Sequence, residues 1–324
     1  MIWREAALAL LVALAAGSTL ASAQTQWDMA TPYSDGSFHT KNIRQFTGDV
    51  EKATNGALKI NVHPNNSLVK HADIKNAVRR GIAPMGEVLI SLHANESPVY
   101  GIDSVPFLAA SYDAARKLYT AQRPFLEKRL AEEGLVLLYS VPWPPQGLYA
   151  RKEINTVEDL RGLKFRTYNV ATQRIAALSG AVPVQVELSD VSTAFATGRV
   201  EAMMTSAPGG TDTKVWEFVT HYYDTQAWIP RNVVIVNKAA FDRLPQDQKQ
   251  ALRDAAKAAE ERGWRESMAE NESKRQMLAD NKMIVQKPSP ELMKGLEAIG
   301  AQITAEFVKN AGPDGQAILD AYKK

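Results

Sequence analysis

One arginine stands where an apolar residue is expected. The stretch Thr156–Thr167, TVEDLRGLKFRT, places Arg166 inside a run, Leu163–Thr167, that otherwise has the character of a core strand. Desolvating an unpaired charge is expensive, so a buried arginine needs an internal carboxylate or a ligand. Its planar fork suits two-point binding of a carboxylate. On chemistry alone the partner is open: an Asp or Glu of this chain, or an acid from outside. Catalytic signatures are missing. There is no G-x-S-x-G elbow, no H-E-x-x-H, no Walker A loop and no G-x-G-x-x-G. The histidines, His39, His63, His71, His93 and His221, lack metal-ligand spacing. There is no cysteine, which removes thiol catalysis and thiolate metal sites. No cofactor or metal is predicted. The net charge is +2, with Lys and Arg spread along the chain rather than grouped in a stripe, which argues against nucleic acid as a partner.

The elements that must position Arg166 alternate between strand and helix character, the mark of an α/β protein. Ser34/Asp35 can cap a helix with the apolar face Ile43, Phe46, Val50 and Ala53, stopped by Asn55-Gly56. Leu58–Val62 alternates as a strand. A helix carrying Ile74, Ala77 and Val78 stops at Gly81, and Val88–Ile90 has strand character. Tyr112–Leu130 is helical with a break near Pro124. Leu135–Val141 is a continuous apolar run, as in a strand buried on both faces. Val141–Gly147, VPWPPQG, then interrupts the pattern and marks a crossing between two α/β series. Beyond it Leu163–Thr167, Val182–Val186 and Val200–Met204 are strands. Asn169 opens a helix ending at Ser179-Gly180, and Asp190–Thr197 is another. Asn232–Asn237 is a buried strand that can return to the first series. Helices follow over Gln246–Asp280 and Pro290–Val308.

The N-terminus has the pattern of a signal peptide: Arg4, an apolar run over Ala6–Ala16, and the small-x-small site Ala21-Ser22-Ala23. Glu5 cancels the charge of Arg4, and the run is too short for a membrane span. Residues 1–23 are therefore set apart from the fold. No later segment reaches the length of an apolar span, so a soluble exported chain is expected.

With these blocks in place the sequence resembles the DctP-type substrate-binding subunits of tripartite ATP-independent periplasmic (TRAP) transporters. The clearest block is Ile154–Thr167. It continues through Ser179–Pro183, Asp190–Gly198 and Val200-Glu201. Asn55–Pro64, Ala77–Gly81, Val105–Leu108 and Leu244–Gln248 support it, in order and spacing, over nearly the whole mature chain. The resemblance implies a two-lobed periplasmic-binding-protein fold with hinge-crossing strands and a long bridging helix. Lobe I is expected over 24–143 plus 231–270, and lobe II over 144–230 plus 271–324. Arg166 falls at the family's carboxylate-binding arginine. Gln146 falls where sialic-acid-binding members have a second arginine. Thr205 falls at their polar asparagine, with Ser206 adjacent. Glu87 is near a ligand-touching position, and its alternative is a salt-bridged acid. Leu188 stands where some members place an aromatic ring. Trp143 and Trp228 are candidate apolar walls, as is Tyr33 near the first strand's end. The implied function is capture of a small organic carboxylate in the periplasm by cleft closure, and its delivery to one small and one large integral membrane subunit. Two rivals stand beside it: a binding protein that presents ligand to a sensor, and an exported enzyme on a similar scaffold.

Overall fold

The computed structural model describes residues 24–324; the expected signal peptide, 1–23, lies outside the described residues. Two sheets form the frame. The first has the order β2-β1-β3-β10-β4, with β1 Thr25–Ala30, β2 Leu58–His63, β3 Met85–Leu89, β4 Leu135–Pro142 and β10 Arg231–Asn237. The second has the order β11-β9-β5-β8-β6-β7. Its strands are β5 Gly147–Ala150, β6 Lys164–Thr167, β7 Val182–Gln185, β8 Ala202–Thr205, β9 His221–Tyr223 and β11 Ile284–Gln286. The apolar runs of β4 and β10 explain their place. Both are buried almost throughout and pair antiparallel with each other, as expected of strands covered on both faces.

The chain crosses between the sheets at Trp143–Gln146 and returns at Asp224–Pro230. The two crossings bond to each other like a ribbon. Trp143 N–H donates to Pro230 O at 2.8 Å, Gln146 N–H to Trp228 O at 2.9 Å, and Ala227 N–H to Gln146 O at 3.0 Å. The helix Gln246–Asp280 is the third link. Its 35 residues span about 52 Å at 1.5 Å per residue. It packs on the helix Phe38–Ala53 and on β4 of the first lobe, and on the short helix Ala207–Asp212 of the second. Gly263 permits the close approach: a Cβ there would meet Val141 Cγ2 at 2.5 Å and Asn42 Nδ2 at 2.8 Å. Among the described residues no helix is long and apolar enough to cross a membrane.

Three local expectations are corrected. The first helix begins after Ser37 rather than at a Ser34/Asp35 cap, with no side-chain cap, and Ser37 N–H closes a turn onto Ser34 O at 3.1 Å. The helix Tyr112–Glu132 runs unbroken through Pro124. Proline costs a helix roughly 3 kcal/mol. Burying Leu118, Leu126 and Leu130, at about 1.5–3 kcal/mol each, outweighs it. The third concerns the assignment of 271–324 to the second lobe. The last helix, Gly312–Lys323, packs instead on the first lobe, with Ile318 and Leu319 in its core and Tyr322 Oη donating to Leu108 O at 3.0 Å. Gly312, at φ +62°, turns the chain there.

Candidate binding cleft

Arg166 sits in β6 between β7 and β8, opposite Val184 and Met203. Its residue is 3% exposed. Nε donates to Val186 O at 2.9 Å, and the guanidinium carbon lies 4.6 Å from the centre of the Tyr168 ring. It makes no ion pair with any carboxylate of the described residues, so the internal-partner alternative is not met. Burial pushes its pKa down from the ordinary arginine value, against the pull of Tyr168, Glu187 and Tyr33. This is a buried cation whose fork is left for something else.

Arg166 faces a cavity between the lobes. Seven of the nine expected residues line it together: Tyr33, Trp143, Gln146, Arg166, Leu188, Thr205 and Ser206. Gln146 comes from the crossing, where its Oε1 accepts from Tyr168 Oη at 3.2 Å and its Nε2 donates to Pro144 O at 2.9 Å. Thr205 ends β8, and Ser206 caps the following helix by accepting from Gly209 N–H at 3.2 Å. His71, Leu89, Leu92, Tyr168, Glu187 and Pro230 complete the wall; none of these was anticipated as a site residue.

Glu87 and Trp228 do not line the cavity. Glu87 lies behind the first lobe's wall. Thr31 Oγ1 donates to its Oε2 at 2.6 Å, Asn232 Nδ2 to its Oε1 at 2.8 Å, and His39 Nδ1 is 3.1 Å from Oε1. Burial pulls the Glu87 carboxyl up. The bonds from His39, Thr31 and Asn232 outweigh it, so its pKa stays below the ordinary value. The role of Glu87 is indirect: Asn232 Oδ1 accepts from Tyr33 Oη and from Trp143 Nε1, both at 3.1 Å. The Tyr33 and Trp143 rings meet edge to face with centroids 5.0 Å apart. Trp228 is fully buried, and its backbone carbonyl holds the crossing.

The lobes touch across the cleft. Asn169 Nδ2 donates to Ser91 Oγ at 3.1 Å, and His71 Nδ1 lies 3.6 Å from Glu187 Oε2. A larger crevice lies beyond Asn169. Its charged residues, Arg174 and Glu306, satisfy each other in a two-point pair at 2.8 and 2.6 Å, so it offers no free charge. Among the described residues no group of three or more His, Cys, Asp or Glu could hold a metal.

Comparison with known proteins agrees with this architecture. The family described as bacterial extracellular solute-binding protein, family 7 (DctP) matches residues 29–310. The 2,3-diketo-L-gulonate-binding periplasmic protein YiaO of Escherichia coli K12 is 29% identical over 338 residues, covering 98% of each chain. Among solved structures, DctP6 of Bordetella pertussis is an extracytoplasmic solute receptor binding pyroglutamic acid. It is 47% identical with a TM-score of 0.91, covering 92% of this chain and 99% of its own. A TRAP solute-binding protein from a marine metagenome is specific for pyroglutamate and was solved with the co-purified compound. It is 42% identical with a TM-score of 0.91, covering 93% and 99%. With a family match over most of its length and the two-lobed fold in common, the chain belongs to the DctP family, the bacterial extracellular solute-binding proteins of TRAP transporters.

Proposed function

We propose that this protein captures pyroglutamate, or a closely similar cyclic 2-carboxylic acid, in the periplasm and hands it to the small and large membrane subunits of a TRAP transporter. The observation that carries the reading is the unpaired Arg166 guanidinium, buried in the cavity between the lobes. A ligand carboxylate is the partner its fork lacks, and two-point binding in a water-poor cleft is strong. The rest of the wall suits a compact, weakly polar remainder. Trp143, Tyr33, Leu89, Leu92 and Leu188 are apolar or aromatic, and Gln146 replaces a second cation. Kinship with two pyroglutamate receptors at 47% and 42% identity supports the choice of acid. Residues 1–23 act as the export signal, and the protein binds its ligand without transforming it.

Titration calorimetry on the mature chain tests this, alongside mass spectrometry of compounds released from it by denaturation. L-Pyroglutamate is expected to bind with a Kd at least about a hundredfold below that of succinate, a gap of about 2.7 kcal/mol. It is expected to be recovered unchanged. Equal or tighter binding of succinate overturns the choice of acid, and turnover of the bound compound overturns the role.

A further inference from the structure

Glu187 faces the same cavity as Arg166, yet the two form no ion pair. Its neighbour is His71, whose Nδ1 sits 3.6 Å from Glu187 Oε2. The other ring nitrogen, Nε2, accepts the Leu89 N–H at 3.2 Å. That nitrogen therefore carries no proton, and the ring proton lies on Nδ1, on the Glu187 side. His71 belongs to the first lobe and Glu187 to the second, so the contact spans the cleft and anchors the carboxylate there. The Glu187 side chain is 31% exposed. The neighbouring His71 holds its carboxyl below the ordinary glutamate value, against the opposing effect of burial and with help from Arg166. The cavity thus presents one charged group that only donates and another that only accepts.

We propose that Glu187, held across the cleft by His71, is the specificity-determining residue: it accepts a hydrogen bond from a ligand N–H next to the carboxylate and excludes ligands with a second carboxylate. The proposal rests on the reading of the cavity as a site for a cyclic amide acid. With the ligand carboxylate on Arg166, the remainder of the molecule is turned toward the other walls. An amide N–H meets a matching acceptor at Glu187. A second carboxylate meets a like charge, a costly mismatch. A ring oxygen in place of the N–H puts two acceptors face to face. A site built around such a donor rejects the analogue lacking it by as much as about ten-thousandfold when fully enclosed. Partial exposure of Glu187 lowers this to roughly a hundredfold.

The test titrates the mature chain and its Glu187→Gln and Glu187→Asp variants with four probes. These are L-pyroglutamate, the γ-lactone acid in which ring oxygen replaces the N–H, succinate and glutarate. The wild type is expected to prefer lactam over lactone by about a hundredfold or more. Glu187→Gln, whose amide can present either a donor or an acceptor, should shrink that preference below about tenfold and bind the dicarboxylates at least about tenfold more tightly than wild type. Glu187→Asp keeps the charge and should keep rejecting them. The proposal is overturned if Glu187→Gln retains the wild-type lactam preference or leaves dicarboxylate affinity unchanged. If the wild type ignores the lactam, the pyroglutamate reading fails separately. The dicarboxylate arm still decides Glu187, since relief of charge repulsion does not depend on which amide acid is native.

Discussion

Arg166 without ligand is a cation removed from water with one hydrogen bond and an aromatic face for company. Such a group lowers stability unless something is gained when its partner arrives. Replacing it with a chain of similar length and no charge separates the two effects. Arg166→Met is expected to abolish pyroglutamate binding, a loss of about 2–5 kcal/mol, while the unliganded protein melts at or above the wild-type temperature. Arg166→Lys should recover part of the binding, since it restores charge but not the fork. Calorimetry and thermal melts of the ligand-free proteins check both; a Met variant that binds normally removes Arg166 from the site. That arginine was legible because a charge interrupts an apolar strand. Glu187 was not. An acid just past a strand looks like any solvated turn residue, and its closeness to Arg166 comes from the parallel register of β6 on β7. For Glu87 the sequence left two readings open, ligand contact or salt-bridged acid, for a related reason. Its partners Thr31, His39 and Asn232 come from three separate segments, and only their convergence shows that it supports the wall instead of forming it.

Among the elements, the helix Gln246–Asp280 joins both lobes, and its contact with β4 is as close as a missing side chain allows. Two effects oppose each other at Gly263. Alanine gains about 1 kcal/mol of helix propensity over glycine. Its methyl would sit 2.5 Å from Val141 Cγ2 and 2.8 Å from Asn42 Nδ2, and overpacking of this kind costs about 1–3 kcal/mol. Asn42 cannot easily yield, because its Nδ2 donates to Ala259 O and its Oδ1 accepts from Arg262 Nε. Gly263→Ala is therefore expected to lower stability by about 1–2 kcal/mol in chemical denaturation; a gain in stability would show that the helix shifts freely on β4. The span of this helix was legible from its long period and that of the Asn169-capped helix from its cap, and β6 was read one residue too long at its start. Strands β5, β9 and β11 were not. They span three or four residues and take their identity from their neighbours in the sheet. The last helix escaped notice because Gly312, Pro313 and Gly315 give its first turn the look of a loop.

At the scale of the whole molecule, two lobes meet over the cavity and are joined by a bonded ribbon and one long helix. Ligand favours closure only through contacts it gains with both sides. Arg166, Gln146 and Thr205 stand on one side, and Tyr33, Leu89 and Leu92 on the other. Small-angle X-ray scattering should show a smaller radius of gyration with saturating pyroglutamate than without, while each lobe stays rigid. Identical curves from protein shown to be ligand-free and from the complex would replace the hinge with a preformed pocket. The two-lobed form was legible from the Pro/Gly break and the family blocks; the return of the last helix was not, since no local pattern says which lobe it docks on. The strand order carries a consequence for how the protein assembles. β10 lies between β3 and β4 in the first sheet, yet it follows β5 through β9 of the second along the chain. A nascent or refolding chain thus holds β3 and β4 with bare edges until a strand encoded after almost the entire other sheet comes back to separate them. Closing so long a loop is slow, and bare edges invite pairing with another molecule. Correct assembly is a race between the late arrival of Arg231–Asn237 and association with a neighbour.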